Sequence, residues 1–197
     1  MYSKQIFQYT FLKRVFDYIF ALLLTPFFLL ILVVISIFIV IDSPGNVLFI
    51  QDRVGFNSNI FKCFKFRTMY TGTPNISTAE MQVSQISAVT RVGFWLRKTS
   101  LDELPQLINI LLGQMSFIGP RPALPSQEAV LKMRQISGVD QLLPGITGLA
   151  QVRGRDELLD EEKVKFDTEY LHNLGFWNDL QVLIKTFSAV ISAKGNR

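Results

Sequence analysis

The stretch that organises this chain is RKTSLDELPQLINILLGQMSFIGPRP, residues 97–122. It contains an adjacent pair of acids, Asp102 and Glu103, followed by leucines and isoleucines at helical spacing up to Gly113. Ser100 is a favoured N-cap residue, and Ser100-x-x-Glu103 has the form of a capping box. The sequence therefore predicts a helix that begins at the two acids, whose positive end would keep both of them ionised.

This acidic pair allows two interpretations. Acids in a first helical turn are ordinary capping residues, and the pair alone favours that interpretation. An ionised Asp can instead act as a nucleophile or as a metal ligand. Two guanidinium groups suited to phosphate favour this second interpretation: Arg97 lies five residues before Asp102, and Arg121 lies in the rigid Gly-Pro-Arg-Pro turn at residues 119–122.

The overall composition fits a protein that works at a membrane. The chain has 197 residues, of which 49% are hydrophobic and 17 are Phe, with a net charge of +4. The charge suits anionic lipids or phosphorylated substrates, whereas the absence of a basic run and of a nucleic-acid motif argues against nucleic acid. Cys63 is the single cysteine and His172 the single histidine, which excludes an intrachain disulfide and a multi-histidine metal site.

A long apolar segment marks the membrane-associated part. Residues 18–41 carry no charge, which is enough for a helix to cross a bilayer core of ~30 Å. Thr25-Pro26 predicts a break in this helix, because proline removes a backbone hydrogen bond. Basic residues flank both ends, so the positive-inside rule assigns no orientation, and a re-entrant helix and a kinked spanning helix both remain open. We therefore divide the chain into a membrane-associated part, 1–43, and a catalytic domain, 44–197.

The second part has the pattern of an α/β domain with a small sheet and surrounding helices. Strands are predicted at residues 47–51 and 60–66, joined as a hairpin. Lys65 and Arg67 share one face of the second strand and its continuation, and they are either solvated charges or phosphate ligands. A helix predicted at 89–98 either lies at the membrane surface or packs on the core. Further helices are predicted at 123–137 and 157–169, and an amphipathic helix at the C-terminus. A glycine-rich loop at 143–152 leads into a strand.

Several motifs together identify a family resemblance. They are Lys13-Arg14 with Asp17, Thr25-Pro26, KFRTM at 65–69, the stretch at 97–122, PGITG at 144–148, Gln151-Val152-x-Gly154-Arg155, Asp167 and Tyr170. These residues, spread over nearly the whole chain, resemble the bacterial sugar transferases of the small monotopic phosphoglycosyl transferase family.

The resemblance implies an activity and roles for individual residues. Such enzymes move a sugar phosphate from a UDP-sugar to a polyprenol phosphate such as undecaprenyl phosphate, release UMP and require Mg²⁺. Asp102 would be the nucleophile that forms an aspartyl-phosphosugar intermediate, and Glu103 would hold the metal or activate the acceptor. Lys65, Arg97 and Arg121 would bind phosphates, and Arg155 the nucleotide end.

The resemblance also implies a location. The membrane helix would be re-entrant with its break at Thr25-Pro26, both termini would be cytoplasmic, and the domain would dock on membrane lipids at the cytoplasmic face of the inner membrane through amphipathic helices. The chain would be a minimal catalytic form, because its 197 residues hold no additional polytopic membrane domain. The sequence leaves open whether it works as a homodimer.

One departure from the family pattern bears on activity. Position 114, after the glycine that ends the central run, is usually Asp in the family and is Gln114 here. We interpret this position as structural, since Asp102 and Glu103 are intact. The alternatives are a catalytically inactive membrane-anchored scaffold of the same fold and a single-pass protein that binds nucleotides or lipids without turnover. The sugar is not specified by the sequence.

Overall fold

The structure consists of helices around two short sheets. The computed structural model describes residues 3–73, 88–154 and 158–191. Its α-helices are α1 (Ser3–Asp42), α2 (Arg91–Thr99), α3 (Leu107–Leu111), α4 (Glu128–Ser137), α5 (Leu149–Arg153), α6 (Asp160–His172) and α7 (Phe176–Ile191). Its strands are β1 (Leu48–Val54), β2 (Ile60–Phe66), β3 (Ser116–Ile118) and β4 (Gly145–Thr147), and 3₁₀ helices lie at Phe56–Ser58, Leu101–Gln106 and Val139–Gln141. This mixture of helices and short sheets confirms the predicted architecture.

Helix α1 passes through Thr25-Pro26, where the sequence predicts a break. The helix continues through Pro26 as one element. Pro26 offers no N–H to the carbonyl of Leu22, four residues earlier. The Thr25 hydroxyl instead donates to the carbonyl of Ala21, at 2.8 Å. One missing hydrogen bond is therefore tolerated without ending the helix, and the re-entrant path stays a prediction.

Helix α1 packs against the rest of the protein at widely separated points. Ala21 lies in a core cluster with residues of β2 and α3. Ile35 and Ile39 lie in another cluster with Phe66 and Leu96. Side chains between these points, such as Phe27, are largely exposed. The helix is long and apolar enough to anchor the protein in a membrane.

The predicted hairpin is present and forms one wall of the protein. Strands β1 and β2 pair antiparallel, with Gln51 opposite Cys63 and Arg53 opposite Phe61. Alternate residues of a strand share a face, so Lys65 lies on the same side of β2 as buried Cys63 and Phe61. This face packs against the 3₁₀ helix Leu101–Gln106.

Strands β3 and β4 form a parallel pair in which backbones approach closely at glycines. A Cβ added to Gly145 would lie 2.1 Å from the nitrogen of Gly119, and one added to Gly148 would lie 2.1 Å from the Gly119 oxygen. In the structure these glycines allow contact between two backbone segments. The predicted strand after them is also wrong from Leu149 onward, because α5 begins there.

The remaining predicted helices are present with shifted boundaries. Helix α4 starts later than predicted and ends at Gly138, whose φ of 76° suits glycine. Helix α2 packs through Leu96 and exposes Phe94 and Trp95. The amphipathic C-terminal helix is confirmed as α7, whose Asp179 accepts a hydrogen bond from the Tyr170 hydroxyl at 2.6 Å.

Candidate active site

The acidic pair lies on a 3₁₀ helix rather than at the start of an α-helix. Ser100 has φ 58° and ψ 17° and ends helix α2, so its side chain makes no capping bond to the next turn. Residues Leu101–Gln106 then form the 3₁₀ helix, which includes Pro105. The predicted capping box is therefore wrong: the Glu103 side chain turns toward cations on other elements.

Glu103 is held between two cations. Its Oε1 accepts from Lys65 Nζ at 2.8 Å and from Arg121 Nη2 at 3.0 Å. Burial alone would raise the pKa of Glu103, but the charges and hydrogen bonds of Arg121 and Lys65 outweigh it and lower the pKa to about 2. Glu103 is therefore ionised at neutral pH, and it fixes the positions of both cations.

The environment of Asp102 raises its pKa, whereas that of Glu103 lowers it. Within the part of the chain that the structure describes, its carboxylate makes no hydrogen bond and no ion pair. Burial, followed by the charge of Glu103, raises the pKa of Asp102 to about 6 despite Lys65, Arg121 and Arg97 nearby. With this pKa, Asp102 is still mostly ionised at neutral pH, and its oxygens are available to an incoming group.

Arg97 approaches the pair from helix α2. It lies in the last turn of that helix, and its Nε donates to Thr68 Oγ1 at 2.9 Å. Its positive charge acts on Asp102. Buried Arg67, which the sequence grouped with Lys65, binds main-chain carbonyls of Ser43 and Pro44 instead and is structural.

The turn that carries Arg121 is held by two arginines that sequence reasoning missed. Arg53 Nη1 donates to the Pro122 carbonyl at 3.0 Å, and Arg134 Nη1 donates to the Arg121 carbonyl at 2.8 Å. Arg134 was detectable in principle, because it follows buried Val130 by four residues and so shares the inner face of α4.

The other predicted residues lie elsewhere. Arg155 falls outside the described residues. Thr25 and Pro26 lie on α1 and contribute no hydrogen bond to the acidic pair. Gln114 Oε1 accepts from Asn109 Nδ2 at 2.8 Å. Its contact agrees with a packing role, and its effect on activity stays a prediction.

The carboxylate oxygens of Asp102 and Glu103 can be compared with the ligands that Mg²⁺ requires. No cluster of three or more acidic, histidine or cysteine side chains suited to a metal occurs among the described residues. Mg²⁺ at phosphoryl-transfer sites commonly uses one or two carboxylates and takes its other oxygens from substrate phosphates and water. Asp102, which has no hydrogen-bond partner among the described residues, and the adjacent Glu103 fit that mode.

The assembled site combines an available carboxylate with three cations. Lys65, Arg97 and Arg121 come from β2, α2 and the turn after β3, so the fold brings together charges that are distant in sequence. Such an arrangement suits a dianionic phosphate group and an oxygen nucleophile beside it.

Comparisons with known proteins agree with this chemistry. The model of the bacterial sugar transferase family matches residues 8–193. The chain is 38% identical to the undecaprenyl-phosphate glucose phosphotransferase of Komagataeibacter xylinus over 92% of its length, and 38% identical to the UDP-galactose-lipid carrier transferase of Erwinia amylovora over 94%. It spans only 36% and 41% of those two relatives. It is also 37% identical to the exopolysaccharide production protein ExoY of Rhizobium meliloti, over 93% of this chain and 87% of that protein. The family match covers most of the chain, and this protein therefore belongs to the bacterial sugar transferase family.

Proposed function

We propose that this protein transfers a sugar phosphate from a UDP-sugar to undecaprenyl phosphate through a covalent intermediate on Asp102. The observation that carries the proposal is the Asp102 carboxylate, which has no hydrogen-bond partner among the described residues and lies beside Lys65, Arg97 and Arg121. A structural carboxylate in such surroundings would form an ion pair, as Glu103 does. A carboxylate kept available beside cations suits attack on a phosphorus atom.

The reaction has two displacements. An Asp102 oxygen attacks the β-phosphorus of the UDP-sugar, the bond from that phosphorus to the bridging oxygen breaks, and UMP leaves with the electron pair. A phosphate oxygen of undecaprenyl phosphate then attacks the same phosphorus, and the Asp102–phosphorus bond breaks. The products are UMP and undecaprenyl diphosphate sugar, the starting lipid of a bacterial glycan.

The surrounding charges have complementary parts in this scheme. Arg121 and Lys65 bind phosphate oxygens, and Arg97 stabilises the ionised form of Asp102 before attack. Glu103 holds Arg121 and Lys65 in place through its two hydrogen bonds. When bound by Asp102 and Glu103, Mg²⁺ would neutralise the charge of the diphosphate.

Helix α1 supports a membrane location with both termini on one side. Just before the apolar part of the helix, Asp17 Oδ2 accepts from Ser116 Oγ at 2.6 Å, and after it Asp42 Oδ2 accepts from the Val92 N–H at 2.9 Å. A helix that crossed the bilayer would place ~30 Å of hydrocarbon between its two ends. Contacts of both ends with one domain favour a re-entrant path, at the cytoplasmic face of the inner membrane.

The test is release of UMP by the membrane-embedded protein. UDP-glucose and UDP-galactose are the first donors, because the names of the relatives include glucose and galactose; N-acetylated UDP-hexoses follow. Each is assayed with Mg²⁺ and undecaprenyl phosphate for the natural protein, Asp102→Asn and the control Asp52→Asn, which removes the exposed ion pair with Lys62.

We expect UMP from at least one donor, unchanged in Asp52→Asn and absent in Asp102→Asn. Incubation with that donor alone leaves a phosphosugar on Asp102, which mass spectrometry of the peptide detects. Turnover by Asp102→Asn would refute the nucleophile, and no UMP from any donor would favour the inactive scaffold.

A further inference from the structure

Arg134 connects a buried ion pair to the turn that carries Arg121. Its Nε and Nη2 donate to Asp167 Oδ2 at 3.1 and 2.7 Å, and its Nη1 donates to the Arg121 carbonyl at 2.8 Å. The side chains of Arg134 and Asp167 are only 11% and 1% exposed. Among the described residues, neither Arg134 nor Asp167 makes a hydrogen bond or ion pair with the acidic pair, so any effect on the chemistry passes through Arg121.

A contribution to stability does not explain this arrangement. A buried ion pair generally contributes no more to stability than a well-packed apolar pair of similar size. Lysine at position 134 would also pair with Asp167, but a guanidinium has a planar set of donors that reaches a carboxylate and a carbonyl together. The feature that requires arginine is therefore its bond to the main chain of Arg121.

We propose that Arg134, oriented by Asp167, is a positioning residue that holds the Arg121 main chain so that the Arg121 guanidinium reaches Glu103 and the substrate phosphate. This inference rests on the proposed function. Arg53, which donates to the next carbonyl at Pro122, restrains the same turn. With both carbonyls held, the Arg121 side chain is directed before substrate binds, which lowers the cost of ordering it.

A double-mutant cycle separates positioning from general stability. It uses the UDP-sugar from which the natural protein releases UMP. We expect Arg134→Lys to lower kcat/KM for UMP release by about 10–100-fold, the size of effect that a small misplacement causes. In an Arg121→Ala background the same change should lower it less than about twofold, because the group that it positions is already gone. An equal loss in both backgrounds would overturn the inference. The matched control is Asp160→Asn, which removes an exposed ion pair from the helix that carries Asp167 and should leave the rate unchanged.

A second variant guards against misfolding and needs no substrate. The double variant Arg134→Met/Asp167→Leu removes the guanidinium that donates to the Arg121 carbonyl, and it leaves no buried charge unpaired. An experimental structure of this variant should show Arg121 Nη2 farther than 4.0 Å from Glu103 Oε1, compared with 3.0 Å here. Retention of the 3.0 Å contact would overturn the inference even if no donor supported turnover, whereas absence of UMP from the natural protein alone would count against the proposed function.

Discussion

Replacement of Asp102 by asparagine is expected to stabilise the metal-free protein at neutral pH while it abolishes turnover. The reason lies in the pKa of Asp102, which burial and Glu103 raise from 3.8 to about 6. An acid whose pKa is raised on folding binds its proton more tightly in the folded state. The resulting stability is fully present below pH 3.8 and is lost as the pH rises through about 6. Asparagine keeps the shape of the side chain and removes the charge.

The size of the effect follows from the pKa. A change from 3.8 to about 6 corresponds to about 3 kcal/mol, at 1.36 kcal/mol for each pKa unit. Asp102 is only partly buried, so solvent screening reduces the expected gain in unfolding free energy to about 1–3 kcal/mol. For a chain of this length each kcal/mol raises Tm by about 2–4 °C, which predicts a Tm about 2–12 °C higher.

Thermal unfolding with a chelator present measures this difference at two pH values. Asp102→Asn should melt above the natural protein at about pH 7.5 and close to it at about pH 4, where the natural carboxyl is largely protonated. The chelator matters because a bound cation would supply the charge partner that Asp102 lacks. A Tm at or below that of the natural protein at the higher pH, or an equal gain at both pH values, would refute the reasoning.

Replacement of the neighbouring Glu103 by glutamine is expected to destabilise the protein at neutral pH. The folded-state pKa of Glu103 is lowered from 4.5 to about 2, so the stability that its charge contributes is present above pH 4.5 and is lost as the pH falls through about 2. Glu103→Gln should therefore lower Tm at about pH 7.5, since it also leaves Lys65 and Arg121 without their shared carboxylate. If the two amide substitutions shift Tm in the same direction, the assignment of opposite environments is wrong.

Three further predictions concern the supporting structure. Asn109→Ala should lower the free energy of unfolding, measured with denaturant, by about 2–4 kcal/mol, because it leaves the Phe64 N–H and the Lys62 C=O of β2 without the Asn109 amide. A decrease of less than about 1 kcal/mol would contradict that account. Gly145→Ala should yield little folded protein by size-exclusion chromatography, because its Cβ would collide with the Gly119 backbone, and a normal yield with unchanged Tm would refute the close contact. Gln114→Asp should retain UMP release within about threefold, because a carboxylate can also accept from Asn109; a larger change would place position 114 in the chemistry.

The sequence predicted which charged residues lie together better than it predicted their local structure. Asp102, Glu103 and Arg121 were identified because acids and arginines within one short stretch have few structural reasons to occur together. The capping box failed because Ser100 ends the preceding helix in a left-handed conformation, so its side chain is not available to start the next one. Short-range patterns did not distinguish a serine that stops a helix from one that starts a helix.

The contacts that sequence reasoning missed join distant parts of the chain. Arg53 lies 69 residues before Pro122, whose carbonyl it binds, and Arg134 lies 33 residues before Asp167. Periodicity places each residue on the inner face of its element, but it does not show which carbonyl or carboxylate that face meets. Thr25-Pro26 is a different case: helix α1 runs through this pair as one element, and the break with its re-entrant path stays a prediction.

The side-chain amide of Asn109 has a consequence for solubility. Its Oδ1 accepts from the Phe64 N–H and its Nδ2 donates to the Lys62 carbonyl, at 3.1 and 2.7 Å, so it occupies hydrogen-bonding groups on the outer edge of β2. An unoccupied strand edge is a template for pairing with another chain, and β2 carries large apolar residues such as Ile60, 64% exposed. In the folded protein this single buried amide therefore covers two hydrogen-bonding groups of the free β2 edge, and we expect variants at this position to associate through that edge more readily.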